Sequence, residues 1–197
     1  MPLFAPHLHV HGRTALVVVQ VGGQPRAARP VHVPPCHECE QYRPQVVVSY
    51  DPEGPYQHPD HVHAARAAAA AAQATGIPAK FYLTAMRPSA WQKIWAALRE
   101  LGEDVPGPRN VTPEMRTQMA EAEARITTTI DIRPVLARKR DALFAHSSQI
   151  QESWFSKIPA DIAEGAFGWE SFVRASDSTG APLPEDDIFA GLRTTSS

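Results

Sequence analysis

The chain has 197 residues, with 19 Lys plus Arg against 21 Asp plus Glu and a net charge of −2. That length allows one domain with a sizeable core. The near-neutral balance, without a block of like charge, argues against nucleic acid or an anionic membrane as the partner, and no apolar stretch approaches the roughly 18 residues of a membrane span.

In chain order, Met1 to Pro6 lead into no apolar run, so no secretory signal is expected. Residues 1–40 hold five of the nine histidines and many prolines. Within them only Leu16 to Val21 reads as a strand; the rest shows neither a helical nor a strand period. Cys36 and Cys39 make no disulfide framework, and a reducing cytoplasm is the expected setting. From Gln41 onward the pattern is regular. Val46–Ser49 reads as a short buried strand and His61–Thr75 as an alanine-rich helix. Gly76-Ile77-Pro78 breaks that helix, and Ala79–Thr84 reads as a second strand. Ser89 is placed to cap a helix running to about Leu101, with Trp91, Trp95 and Leu98 on one face. Thr112 and Pro113 start a short helix or turn, Arg125–Asp131 alternates as a strand, and Val135–His146 reads as a helix. Ser176 to Pro184 reads as loop, with Ile188 and Phe189 forming a last docked turn. Strands alternating with helices predict an α/β protein with a parallel or mixed sheet.

Tyr50-Asp51-Pro52-Glu53-Gly54-Pro55-Tyr56-Gln57-His58-Pro59-Asp60-His61 is the densest polar segment. It leaves a strand and enters a helix, with Pro59 near the first helical position, where a missing N–H costs little. In open α/β sheets ligands bind at the carboxyl ends of the strands. His61 can bind a metal through a ring nitrogen, and Asp60 can orient an imidazole. His58 can serve as a second ligand or a proton donor, and Tyr56 can hydrogen-bond a developing oxyanion. The plainer reading is a polar loop capping a helix, with Asp60 favoured by the helix dipole. Cys36-His37-Glu38-Cys39 is a lone C-x-x-C, without the second pair that structural zinc requires, and is read as having no function. His7, His9 and His11 are read as a solvated terminus. His146-Ser147-Ser148-Gln149 closes the last long helix and is read as structural. Trp91 and Trp95 are read as core, whereas Trp154-Phe155 and Phe167-Gly168-Trp169 are candidates for a pocket mouth.

Arg43 to Pro52 followed by Tyr56-Gln57-His58-Pro59-Asp60-His61 resembles the second metal motif of the PIG-L/LmbE zinc deacetylases. The similarity continues through Arg140 to Ile150, with its His146-Ser147-Ser148-Gln149. It reaches Pro184-Glu185-Asp186-Asp187-Ile188-Phe189-Ala190-Gly191-Leu192, which is similar to the ends of mycothiol-pathway members. It covers roughly residues 41 to 193. The resemblance implies a Rossmann-like α/β fold, a mixed sheet with helices on both faces, and removal of an acyl group from an amino-sugar conjugate such as N-acetylglucosaminyl-inositol. It implies zinc as cofactor, with His61 as ligand. It also implies His58 as the imidazole that stabilises the oxyanion or supplies the leaving amine, Asp60 as an orienting group and Tyr56 as an oxyanion partner. Zinc lowers the pKa of its water to about 7, and a carboxylate base then activates it.

The family's A-H-P-D-D-E run, which supplies a histidine and an aspartate to the metal and a second aspartate as base, does not occur here; Pro6-His7-Leu8-His9 lacks both aspartates. Residues 1–40 are therefore expected to be irregular and outside the family, and residues 41–197 to be the C-terminal portion of a deacetylase domain with incomplete N-terminal strands. The alternatives are a truncated, catalytically impaired paralogue without tight zinc, and an amidase acting on mycothiol S-conjugates.

Overall fold

The computed structural model describes residues 8–11, 14–18, 37–54, 57–105, 107–145 and 154–193. Six strands form one mixed sheet in the order β1-β2-β3-β4-β6-β5. They are β1 (Leu8–His11), β2 (Thr14–Val18), β3 (Val46–Ser49), β4 (Lys80–Ala85), β5 (Thr128–Asp131) and β6 (Trp169–Asp177). β2, β3 and β4 run parallel, while β1, β6 and β5 each join antiparallel to a neighbour. The helices are α1 (His37–Tyr42), α2 (Pro59–Thr75), α3 (Pro88–Glu100), α4 (Pro113–Ala124), α5 (Leu136–Ala145) and α6 (Ala160–Phe167). None of the described helices is long and apolar enough to cross a membrane.

The centre of the sheet follows from the β-branched run Val46-Val47-Val48, whose alternate side chains face opposite sides. Val47 and Phe81 meet Ala68 of α2, with Ala72 and Leu83 beside them. Buried Ala64, Ala65, Ala68 and Ala71 line the inner side of α2, and such small side chains let helix and sheet approach closely. On the opposite face Val46, Val48 and Tyr82 are covered by Phe172 and by the segment carrying Ile188, Phe189 and Leu192. The expected docked turn is therefore present. α2 stops where Gly76 adopts φ +58° and its N–H bonds the Ala72 carbonyl, a left-handed conformation open to glycine at little cost.

Several boundaries differ from the sequence expectation. The early strand begins at Thr14, two residues before the expected Leu16, and Leu8–His11 pairs with it antiparallel; residues 19–21 of the expected strand lie outside the described residues. The N-cap of α3 is Arg87, not Ser89. Ser89 instead donates its amide and hydroxyl to the Glu123 carboxylate of α4, at 3.1 and 2.7 Å. Thr112 caps α4 by accepting from the Met115 amide at 3.2 Å, and that helix runs a full 12 residues.

The largest departure is β6. The sequence reading assigns no element to residues 170–175 and reads Ser176 onward as loop, yet Trp169–Asp177 forms a strand of nine residues placed between β4 and β5. Its polar side chains hide it from an apolar-period search, because some of them are buried by pairing rather than exposed. Arg174 reaches Glu185, which lies on the face opposite α2 and also accepts from Lys80, from Tyr82 at 2.7 Å and from Thr128 at 3.1 Å. Lys80 and Tyr82 are fully buried and Glu185 is 6% exposed. A charge so enclosed persists only when paired and hydrogen-bonded. Burial alone would raise the Glu185 carboxyl. The bonds from Lys80, Tyr82 and Thr128 outweigh it and hold the group below the usual glutamate range. Desolvation, together with the bond to Glu185, pushes the Tyr82 phenol well above its ordinary value.

Candidate functional site

The segment after β3 folds back on itself before entering α2. Asp51 accepts from the Glu53 amide at 2.9 Å, and the Gly54 amide bonds the Asp51 carbonyl at 3.1 Å. The Gln57 side chain donates to the carbonyls of Pro52, at 2.9 Å, and Gly54. Arg125, just past α4, approaches the largely covered Asp51 carboxylate at 3.3 Å. These contacts, made by residues that carry no acid–base assignment, fix the path of the chain across the C-terminal end of β3.

His58 is the N-cap of α2, with extended backbone at φ −65° and ψ 131°, and Pro59 opens the helix as expected. The Asp60 amide donates to His58 Nδ1 at 3.2 Å. An imidazole nitrogen that accepts carries no proton, so the neutral ring bears its proton on Nε2. The Asp60 carboxylate lies 3.8 Å from the same Nδ1, with the two side chains 30% and 48% exposed. His61, one turn into the helix, stacks on Tyr50 with ring centroids 3.8 Å apart and planes 7° from parallel. Its centroid is 5.6 Å from that of His58. Burial lowers the His61 pKa, the neighbouring His58 lowers it further, and Asp60 opposes both.

Three of the four sequence candidates, His58, Asp60 and His61, are thus together at the end of β3. Tyr56 lies outside the described residues, as do Cys36, His7 and the His146-Ser147-Ser148-Gln149 run. Tyr50 carried no role in the sequence reading, although it stood inside the motif. Its stacking partner is eleven positions on, beyond the reach of any local pattern. Among the described residues no three His, Cys, Asp or Glu side chains converge to hold a metal ion. The described part of the site therefore does not by itself provide the ligand set that zinc needs. The Ser49 hydroxyl, at the end of β3, is buried without a hydrogen-bond partner among the described residues.

A cavity of about 980 Å³ begins at Ala85, Met86 and Arg87 beyond the C-terminal end of β4. Ser49 pairs with Leu83, so the cavity opens at the same end of the sheet as the histidines, without being lined by them. Trp91, Phe167 and Trp169 supply aromatic surface, and Arg133, Lys139 and Glu170 supply charge. The expectation that Phe167 and Trp169 line a pocket holds. Trp91 also faces this space, in edge contact with Phe167 at 6.1 Å between centroids.

A mixed sheet with a polar strand-to-helix loop and a cavity at its C-terminal end is that of a Rossmann-like α/β protein, with the candidate residues at the end of the sheet where ligands bind in that class. No family model matches the chain. It is 36% identical over 167 residues to a 1D-myo-inositol 2-acetamido-2-deoxy-alpha-D-glucopyranoside deacetylase of Rhodococcus opacus (strain B4), covering 76% of this chain and 56% of that protein. Proteins of the same name from Acidothermus cellulolyticus (strain ATCC 43068 / DSM 8971 / 11B) and Tsukamurella paurometabola (strain ATCC 8368) are 36% and 37% identical. These cover 76% and 77% of this chain and 52% and 55% of the relatives. The chain is thus similar to these deacetylases along about three quarters of its length, and it spans about half the length of the curated relatives it matches.

Proposed function

We propose that this protein acts in hydrolysis of the acetamide of an N-acetylglucosaminyl-inositol conjugate, releasing acetate and the free amine. The observation that carries the reading is the match, across three quarters of the chain, to deacetylases named for that substrate. The geometry at the end of β3 supports it. Amide hydrolysis needs water added to the carbonyl carbon, charge stabilised on the carbonyl oxygen, and a proton delivered to nitrogen as the C–N bond breaks. His58, with Nδ1 occupied by the Asp60 amide, presents Nε2–H as a donor suited to the oxyanion or to the leaving amine. Asp60 keeps that tautomer through its own backbone. Tyr50 fixes the plane of His61 by stacking. Tyr56 is assigned to the oxyanion by the resemblance. His61 is proposed as one nitrogen donor to zinc. The described residues do not supply the remaining ligands. A sugar–cyclitol conjugate suits the aromatic and charged cavity at the same end of the sheet, whose volume lies at the upper end of the range for small-molecule pockets.

The test is acetate release from N-acetylglucosaminyl-inositol by the zinc-supplemented protein, beside His61→Ala and His58→Ala. Loss of the acid–base group should lower kcat by about 10²–10⁴-fold in His58→Ala. His61→Ala should lower both zinc content and turnover. Undiminished acetate release in both variants would overturn the reading.

A further inference from the structure

We infer that the groove between α3, the loop after it and the start of α4 is a second binding site, selective for a phosphate group. It is a cavity of about 280 Å³ whose walls include Gln92, Trp95, Arg99, Pro108, Arg109 and Arg116. None of these residues belongs to the histidine loop or lines the larger cavity. Three arginines line one small space with no carboxylate in its lining. Arg99 donates to the carbonyls of Gly107 and Pro108, at 2.7 and 2.8 Å, which orients it but leaves its charge uncompensated. Arg109 and Arg116 have no ion-pair partner among the described residues. Like charges gathered in this way repel one another unless an anion sits among them.

Trp95 forms part of the same wall. The indole Nε1 of Trp95 is buried and has no hydrogen-bond partner among the described residues. An unmet donor of this kind is uncommon in a native fold and calls for an acceptor. The loop is also shaped around the ring: a Cβ on Gly107 would lie 2.2 Å from Trp95 Cδ2, so only glycine fits there. Buried Gly107 and the two bonds from Arg99 make this a fixed wall rather than a loose surface loop. The Arg groups are donors only, and they select a ligand rich in acceptors. Arg forks match phosphate oxygens in pairs, and a phosphomonoester brings close to two negative charges near neutral pH, which favours it over a carboxylate. The volume lies just below the range of small-molecule pockets, so it suits inorganic phosphate or a small sugar phosphate.

The experiment follows the four indole N–H resonances by NMR, with Trp95 assigned through Trp95→Phe. The intact protein is titrated with inorganic phosphate, glucose 6-phosphate, acetate, and chloride at matched ionic strength. The Trp95 signal should shift saturably with one or both phosphates. The stronger of the two identifies a free or an esterified phosphate as the ligand. Acetate should bind more weakly. Replacing both exposed arginines (Arg109→Gln with Arg116→Gln) should weaken phosphate binding by about tenfold or more, the scale of one charge-assisted hydrogen bond. Acetate release should be unaffected by the same pair, which separates this site from the deacetylase reading. A Trp95 signal that stays fixed, that follows chloride as strongly as phosphate, or that responds fully in the double arginine variant would overturn the inference.

Discussion

Glu185 and His58 are both polar groups at the ends of loops, yet their surroundings differ in kind. Glu185 is sealed against the sheet, and its donors come from Lys80, Tyr82, Thr128 and Arg174, residues scattered over three strands. His58 is half exposed, and its donor is an amide two positions along the chain. In the interior, a charge is kept by partners that the whole fold must assemble. At the end of β3, the chain's own turn holds the rings, with His58 half exposed. Substitutions in the first region should unfold the protein, whereas those in the second should spare the fold and alter chemistry.

The sharpest division should come from Glu185→Ala. It strands Lys80 without its acid in a fully buried place, and breaking such a pair costs about 3–5 kcal/mol. Urea unfolding should show a midpoint far below that of the parent; an unchanged midpoint would remove the contrast. Tyr82→Phe keeps the ring but deletes the bond to Glu185. Bonds to charged groups contribute about 1.5–3 kcal/mol, so a smaller loss is expected in the same assay. At the other region, His58→Ala removes the cap of α2. A loss of about 1 kcal/mol, typical of an N-cap, should be the whole stability effect, measured alongside a much larger fall in acetate release. The mildest readout is pH. The Glu185 carboxyl is depressed on folding, so its contribution is complete above about 4.5, the ordinary value, and is lost as pH falls through the lower folded value. Stability curves of the parent should steepen there relative to Glu185→Gln; parallel curves would show that the carboxylate is not what holds the tail.

The same contrast explains which parts were legible in the sequence. Val46–Ser49, the helix entered at Pro59 and the break at Gly76 are written in neighbouring residues, and so is the grouping of His58, Asp60 and His61. β6 was not legible, because Arg174 and Ser171 lie inside a strand by virtue of partners far along the chain. Glu185 sits in an acidic, proline-flanked run that reads as solvated loop, and its lysine is 105 positions away. Tyr50 stands between these cases. It was visible in the motif, but its stacking on His61 depends on the turn that Asp51 and Gln57 impose. The arginines around Trp95 come from two helices and a loop, and no spacing rule links them.

The link between Lys80 and Glu185 also sets a schedule for biosynthesis. With 105 positions between them and synthesis at about 5–20 residues per second, Lys80 leaves the ribosome roughly 5–20 s before its acid. During that interval an ammonium on the inner side of a hydrophobic strand must stay wet, and so must the valines beside it. β3, α2 and β4 can associate early on the helix-covered side. The other side stays open to chaperones, and to wrong partners, until Glu185 has been made.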